Sequence, residues 1–211
     1  MKKFNFWSLL LLIPFSAGLF VALTEAVPEI ERAIFTFMRN LAPAMDIPFR
    51  AITELGSAVG VICVTVIIFV VSIFKKHFFD FGLPVTVVVI ISRIINITLK
   101  NIFDRPRPEF RVLEASESSF PSGHSQNNMA LYLALLIVCL LIVKAPKWRT
   151  FFKIAFISLP IIIGLTRIYF GVHYISDVIA GWSMGALVAI VTLHFYFLIY
   201  QTVKDKHHAK N

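Results

Sequence analysis

The sequence contains little of what a disulfide-stabilised domain or a metalloprotein requires. Only two of its 211 residues are cysteines, Cys63 and Cys139. Both lie inside apolar runs, which excludes a disulfide framework and a cysteine metal site. Charged residues make up 15% of the chain, and its carboxylates do not have the spacing of metal ligands. We therefore expect no metal and no other cofactor.

Apolar residues are correspondingly abundant and indicate an integral membrane protein. They account for 58% of the chain, with 21 phenylalanines and a mean hydropathy of +0.81. Six runs have the roughly 20 residues that a hydrocarbon core demands, and backbone groups in lipid must be satisfied within a helix. The sequence predicts an all-α integral membrane protein, a bundle of six transmembrane helices with a short outer interfacial helix, as one domain over residues 1–211. The predicted spans are 4–23, 57–74, 79–99, 125–143, 151–170 and 175–200.

The distribution of charge predicts how this bundle is oriented. Eleven of the twenty basic residues, against two acidic ones, lie on the side that holds both termini. Positive-inside reasoning makes that side cytoplasmic in a multi-pass protein of the cell membrane, so connections 24–56, 100–124 and 171–174 face outward. The pI of 9.7 then reflects topology, and we expect no nucleic-acid partner. The first run follows Lys2 and Lys3 as in a signal peptide, but its length favours a retained helix.

Three polar stretches converge on the predicted outer surface: KNIFDRPRP, PSGH and RIYFGVHYISD. Lys100, Arg107 and Arg167 supply three positive charges that suit the oxygens of a phosphate group. Ser122 offers a hydroxyl donor, and Gly123 allows its backbone N–H to approach an anion at the start of a helix. Together these residues predict a cradle for a tetrahedral oxyanion.

Two histidines beside this cradle predict phosphoryl transfer. His173 and Asp177 are four residues apart and share one face of a helix that begins there. The carboxylate would keep one imidazole nitrogen protonated and leave the other free to attack phosphorus. His124 would protonate the leaving oxygen and later activate water.

The order Lys-x6-Arg-Pro, Pro-Ser-Gly-His, Arg-x5-His-x3-Asp resembles the signature of the type 2 phosphatidic acid phosphatases, the lipid phosphate phosphatases. RPRP followed by SFPSGHS is similar to the bacterial branch, that of phosphatidylglycerophosphatase B and the undecaprenyl-diphosphate phosphatases. The resemblance implies a phosphohistidine at His173, Asp177 as its partner, His124 as acid and base, and no metal. It also implies phosphate binding by Lys100, Arg107, Ser122, Gly123 and Arg167. One departure is Thr166, where the family often has serine.

These features predict an enzyme that hydrolyses a phosphate or diphosphate ester of a membrane lipid at the extracytoplasmic leaflet. Phosphatidylglycerophosphate and undecaprenyl diphosphate are the expected substrates, with phosphatidic acid or broad specificity as the alternative. Its partners would be that lipid and the bilayer, with no obligate protein partner evident. Two other classes stay open: a vanadium haloperoxidase, whose members use a similar cradle, and a non-catalytic lipid-binding protein.

Several further residues receive structural interpretations. Arg93 and Asn96 share a face with Lys100, and we expect them to anchor that helix rather than contact substrate. Arg105 and Arg111 are interpreted as solvated loop charges. Gly181 and Gly185 indicate close helix packing.

The segment at residues 29–41 predicts an interfacial helix, because Ile30, Ile34, Phe37 and Leu41 recur at helical spacing. Such a helix could gate the lateral entry of a lipid between the transmembrane helices. The alternative is that the segment is an ordinary packing loop.

Overall fold

The structure is a computed structural model that describes residues 6–24, 28–41, 43–115 and 118–208. Within these ranges the regular structure is helical throughout and contains no strand. A 3₁₀ turn at Phe6–Leu11 and a π-helical turn at Phe78–Gly82 precede the first and fifth α-helices. The α-helices are α1 Leu12–Thr24, α2 Pro28–Leu41, α3 Asp46–Leu55, α4 Ala58–Phe74, α5 Leu83–Phe103, α6 Gly123–Ile142, α7 Pro146–Tyr169 and α8 Ile175–His208.

Four helices of the described chain are long and apolar enough to cross a membrane: the π-turn with α5, and α6, α7 and α8. The number rises to six if two bent pairs, α1 with α2 and α3 with α4, each count as one span. Large aliphatic side chains such as Ile67, Val71 and Ile154 are exposed on the outside of the bundle, as expected where lipid is the solvent. The predicted all-helical membrane fold is confirmed, and most predicted spans agree with the helices to within a few residues.

Helix α6 lies at the centre of the bundle and packs against both α5 and α8. Its Ala130, Leu131 and Val138 are fully buried with Val88 of α5 and Ala189 of α8 in one apolar core. This arrangement fixes the start of α6 between the ends of its two neighbours.

Gly181 and Gly185 allow α8 to approach α6 closely. A Cβ on Gly185 would lie 2.2 Å from the backbone oxygen of Gln126, and one on Gly181 would lie 2.8 Å from that of Ser122. The close packing expected of these two glycines is confirmed. It brings the residues at the first turn of α8 next to those at the first turn of α6.

A buried polar layer ties α5 to α6 below the predicted site. The Asn96 amide donates to Gln126 Oε1 at 3.0 Å and to the backbone oxygen of Pro121 at 3.3 Å. Gln126 Nε2 in turn donates to the Ser92 backbone oxygen at 3.0 Å. Because buried polar groups without partners are costly, these bonds fix the rotation of α5. Asn96 therefore has the anchoring role predicted for it, and Lys100, one turn further on, faces the start of α6.

The predicted interfacial helix is present as α2, with its apolar stripe turned away from the protein. Ile30, Phe37 and Leu41 are 57–67% exposed, whereas Glu31 on the opposite face is buried. The sequence did not predict α3, a second short amphipathic helix within the same connection. Its Thr53 is buried and points toward α7.

Candidate active site

A cavity of about 490 Å³ lies between α4, α5, α6 and the loop that joins α7 to α8. Six of the eight predicted site residues line it: Lys100, Arg107, Gly123, His124, Arg167 and His173. They come from the three polar stretches of the sequence, and the bundle brings them to one end of the cavity. Ser122 and Asp177 are fully buried directly behind this wall.

Each of the three predicted cations donates a hydrogen bond to an uncharged oxygen. Lys100 Nζ donates to the backbone oxygen of Ser118, and Arg107 Nη1 donates to the Val172 oxygen at 2.8 Å. Arg167 Nη1 donates to Thr53 Oγ1 at 2.7 Å, whereas its buried Nε has no hydrogen-bond partner among the described residues. A buried donor of this kind suits an anion in the cavity.

The contact between Arg107 and His173 identifies the tautomer of the histidine. Arg107 Nη1 lies 3.2 Å from His173 Nε2. A guanidinium nitrogen can only donate, so Nε2 accepts, and the proton of the neutral imidazole is on Nδ1. The nitrogen that carries the lone pair is therefore Nε2, on the side of the cations, where it accepts from Arg107.

The neutral form of His173 is favoured by its surroundings. The residue lies in the loop between α7 and α8 and is 3% exposed. Burial lowers its pKa well below the ordinary value, and the positive charges of Arg107, Arg167 and Lys100 lower it further. A histidine held neutral in this way is available as a nucleophile near neutral pH.

Asp177 is held by a cation in addition to its position near His173. Its Oδ1 accepts from Arg105 Nη1 at 2.6 Å, and its Oδ2 accepts from the Tyr174 backbone N–H at 3.0 Å. His173 Nδ1 is 3.5 Å from Oδ2, a distance at which the charges interact without a well-formed hydrogen bond. The predicted pair of His173 and Asp177 is therefore brought together, with Arg105 as a third member.

The prediction that Arg105 is a solvated loop charge is wrong. Arg105 is 7% exposed and bridges Asp177 to Glu31 of α2, whose Oε2 lies 3.1 Å from Arg105 Nη2. Glu31 also accepts from the hydroxyl of Ser176. The acidic partner is 74 positions away in sequence, and no local pattern indicates such a pairing. Arg111, in contrast, is exposed as expected, and among the described residues its guanidinium donates to the Pro108 oxygen alone.

The start of α6 presents Gly123 and His124 to the cavity, and Ser122 caps it. Ser122 Oγ accepts from the backbone N–H and the hydroxyl of Ser125 at 3.4 and 3.0 Å, which is typical of an N-cap. A Cβ on Gly123 would lie 2.9 Å from Asn96 Oδ1, so the close approach of α5 requires glycine at this position. In the described part of the chain, no group of three or more His, Cys, Asp or Glu side chains has an arrangement that could hold a metal.

Comparison with known proteins places this site in a family. A model of the PAP2 superfamily matches residues 81–201, which include all eight predicted site residues. The chain belongs to the PAP2 superfamily. It is 32% identical over 157 residues to phosphatidylglycerophosphatase B of Bacillus subtilis (strain 168), covering 72% of this chain and 76% of that protein. It is 35% identical over 78 residues to an undecaprenyl-diphosphatase of Sulfolobus acidocaldarius, covering 37% of this chain and 34% of that protein.

A solved structure shows the same PAP2 architecture. The crystal structure of a transmembrane PAP2-type phosphatidylglycerolphosphate phosphatase from Bacillus subtilis superimposes with a TM-score of 0.78 at 28% identity. The match covers 89% of this chain and 96% of that one. The predicted resemblance is confirmed, and the protein is a membrane-embedded hydrolase acting on phosphate esters.

The remaining wall of the cavity is apolar. It is formed by Val61 and Ile62 of α4 and by Val89, Ile90 and Ile94 of α5. Ile62, Ile90 and Ile94 are also 53–58% exposed, which shows that this wall reaches the outer surface of the bundle. The cavity thus joins a cationic end to an apolar flank that borders the space lipid would occupy.

Proposed function

We propose that the chain hydrolyses a phosphate or diphosphate ester of a membrane lipid through a phosphohistidine intermediate. Phosphatidylglycerophosphate and undecaprenyl diphosphate are the preferred substrates. The observation that carries the proposal is one cavity with two histidines and three cations at one end and a lipid-facing apolar wall along its flank. A phosphorylated lipid presents the same combination, a charged head attached to an apolar tail.

Binding of the phosphate uses the cationic end of the cavity. Lys100, Arg107 and Arg167 surround the nonbridging oxygens and offset the charge that spreads over them in the transition state. The backbone N–H of Gly123 adds a donor at the positive end of α6. The bonds that Ser122 Oγ accepts from Ser125 do not use its own hydroxyl proton, which we assign to the same phosphate.

In the first step, Nε2 of His173 attacks phosphorus opposite the leaving oxygen. A bond forms between Nε2 and phosphorus as the bond to the ester oxygen breaks, and His124 supplies a proton to that oxygen. The imidazole becomes positively charged, and the Asp177 carboxylate near Nδ1 stabilises that charge. The dephosphorylated lipid leaves with the proton from His124.

In the second step, a water molecule completes hydrolysis. His124, now neutral, takes a proton from water as the water oxygen attacks phosphorus and the bond to Nε2 breaks. Inorganic phosphate is released, His173 returns to its neutral form, and His124 is again protonated. No metal takes part in either step.

We place the site on the extracytoplasmic side of the cell membrane, with both termini in the cytoplasm. The charge distribution supports this orientation, because most lysines lie at the opposite end of the bundle from the cavity. Residues 1–211 act as one membrane phosphatase domain, since α3 and α4, outside the region matched by the family, also form part of the site. The partners of this domain are the phosphorylated lipid and the bilayer, with no obligate protein partner.

The preference among lipids rests on the relatives and on the cavity. The names of the relatives include phosphatidylglycerophosphatase B and undecaprenyl-diphosphatase. The cationic end of the cavity would bind a phosphate group whichever tail is attached to it. Phosphatidic acid, with the same diacylglycerol tail and one phosphate, is the next candidate.

The test is phosphate release by the purified protein in detergent. Phosphatidylglycerophosphate, undecaprenyl diphosphate and phosphatidic acid are supplied separately with EDTA to wild type and to His173→Ala. The proposal predicts EDTA-resistant release by wild type alone. Phosphate release by His173→Ala would contradict the mechanism. No phosphate release by wild type from any of the three lipids would favour a protein that binds lipid without catalysis.

A further inference from the structure

The cavity contains a fourth positive charge that the reaction described above does not use. Arg93 of α5 lines the same cavity as Lys100 and the two histidines. It is half-buried, and the lining residues nearest to it in sequence, Val89, Ile90 and Ile94, are apolar. The anchoring role expected from the sequence would require a protein partner. In the part of the chain that the structure describes, no hydrogen bond or ion pair holds the Arg93 guanidinium.

A charge inside a membrane span without a partner is costly, so its retention calls for a ligand. The other arginines around the site have defined acceptors, as Arg105 has Glu31 and Asp177, and Arg167 has Thr53. Arg93 differs because it lines the cavity without an acceptor for its guanidinium among the described residues.

Asn127 of α6 presents a second donor on the same cavity wall. It is 8% exposed, and its Oδ1 accepts a hydrogen bond from Ser92 Oγ at 2.8 Å. This bond fixes the amide so that Nδ2, the donor, lies on the side of Gly123, 3.9 Å from the position of a Cβ on that residue. No hydrogen bond to a described residue engages Nδ2. Asn127 and His124 are three residues apart and therefore lie on one face of α6.

Arg93 lies deeper in the membrane than the residues proposed to hold the phosphate under attack. Seven residues separate it from Lys100, which places it about 10 Å further along the α5 axis on the same face. The path from the cationic end of the cavity to its lipid-facing wall passes Arg93. The part of a substrate between its terminal phosphate and its tail would occupy this level.

We propose that Arg93 and Asn127 form a second anion subsite, which binds the phosphodiester group of a lipid whose two phosphates are separated by a linker. This assignment rests on the proposed function and narrows it to lipids of the phosphatidylglycerophosphate type. In a diphosphate, the second phosphorus is one oxygen away from the first and stays within reach of the upper cations. In phosphatidylglycerophosphate, a glycerol unit carries the phosphodiester further toward the tail, to the level of Arg93.

The experiment compares kcat and KM in mixed micelles for phosphatidylglycerophosphate and phosphatidic acid, which share a diacylglycerol tail but differ in the phosphodiester. The variants are Arg93→Gln, Arg93→Lys and Asn127→Asp, the last of which keeps the acceptor for Ser92 but replaces the donor with a negative charge. Lys147→Gln is the matched control, because it removes one positive charge from an exposed position at the opposite end of α7.

For Arg93→Gln, the ratio of kcat/KM for phosphatidylglycerophosphate to that for phosphatidic acid should fall roughly 10–100-fold, the range of a lost charged hydrogen bond. The change should appear in KM rather than kcat. Arg93→Lys should recover part of the ratio, Asn127→Asp should lower it, and Lys147→Gln should leave it unchanged.

A second readout does not depend on turnover. Phosphatidylglycerol retains the phosphodiester but lacks the terminal phosphate, so it should compete with substrate in wild type and much less in Arg93→Gln.

Other outcomes overturn the subsite. Equal losses on both lipids would make Arg93 part of the general fold or of the main phosphate cradle, and no loss on either lipid would mean that its charge contacts bulk headgroups only. A wild type that hydrolyses undecaprenyl diphosphate but not phosphatidylglycerophosphate would also overturn it. A wild type inactive on every lipid would instead refute the proposed function itself.

Discussion

The carboxylate of Asp177 lies 2.6 Å from the guanidinium of Arg105 and 3.5 Å from the ring of His173. The stronger contact of this carboxylate is thus to an arginine that also holds Glu31 of α2. Arg105 fixes where Asp177 lies, and in the proposed mechanism Asp177 stabilises the positive charge that forms on the imidazole. Arg105 is therefore a positioning residue that connects α2 to the proposed nucleophile.

Replacing Arg105 by methionine should lower kcat by roughly 10–100-fold with little change in KM, a size typical of residues that orient catalytic groups. Two carboxylates would lose their shared cation, so unfolding should also become easier, by about 3–5 kcal/mol for a broken buried pair. Steady-state kinetics and thermal unfolding in detergent measure both effects.

Arg105→Lys should recover part of kcat, and Arg111→Met in the same loop should change neither quantity because Arg111 is exposed. A methionine variant with normal kcat would refute the positioning role.

The two histidines should differ in their dependence on the leaving group. His173→Ala should abolish turnover for every substrate, because it removes the atom proposed to attack phosphorus. His124→Ala should lose about 10²–10⁴-fold with alkyl phosphates, as expected for a general acid, and less with aryl phosphates, whose leaving oxygens need less protonation. Rates on a short series of esters measure this, with His77→Ala, an exposed histidine, as the control. Equal losses on alkyl and aryl esters would count against His124 as the acid.

The low pKa of His173 predicts that activity persists below the pH at which a free histidine is protonated. Burial and three cations favour the neutral ring, so the acid limb that belongs to this residue should lie well below pH 6.5, its ordinary value. The profile of kcat/KM should be measured with two esters whose phosphates ionise at different pH. A limb that moves with the ester belongs to the substrate. A limb that stays fixed at pH 6.5 or above would show that the ring is not held neutral as described.

Gly185 should be intolerant of a methyl group. An added Cβ would lie 2.2 Å from the Gln126 backbone oxygen, so α8 must move away from α6, at a cost of about 1–3 kcal/mol for overpacking. Gly185→Ala should therefore lower the unfolding temperature, and because this interface carries the first turns of both helices, it should lower kcat as well. Leu198→Ala, on the exposed face of α8, is the comparison. An unchanged unfolding temperature for Gly185→Ala would contradict the packing.

The sequence predicted most of the bundle because the membrane restricts the possible structures. A long apolar run in lipid has to become a helix, and the three motifs could be assigned to its ends by spacing alone. The two histidines, their cations and Gly123 were predicted for the same reason, since each lies where a span meets a connection.

Contacts between residues far apart in the chain could not be predicted from the sequence pattern. The pairing of Glu31 with Arg105 joins residues 74 positions apart, and Thr53 meets Arg167 across 114 positions. The position of Arg93 on the cavity wall depends on how α4 and α5 pack against each other. The spacing of apolar residues along the sequence does not predict this packing. The α3 helix was missed because its ten residues are too short for a span and lie within a polar connection.

The measurement that tests the account most directly is the capture of the phosphorylated enzyme. Wild type and His124→Ala are mixed with lipid carrying a labelled terminal phosphate, quenched in alkali within the first turnover, and digested for peptide analysis. The account predicts label on His173 as an alkali-stable, acid-labile phosphoramidate. Labelled phosphate released by wild type, with no label on His173 at any time in either protein, would contradict it.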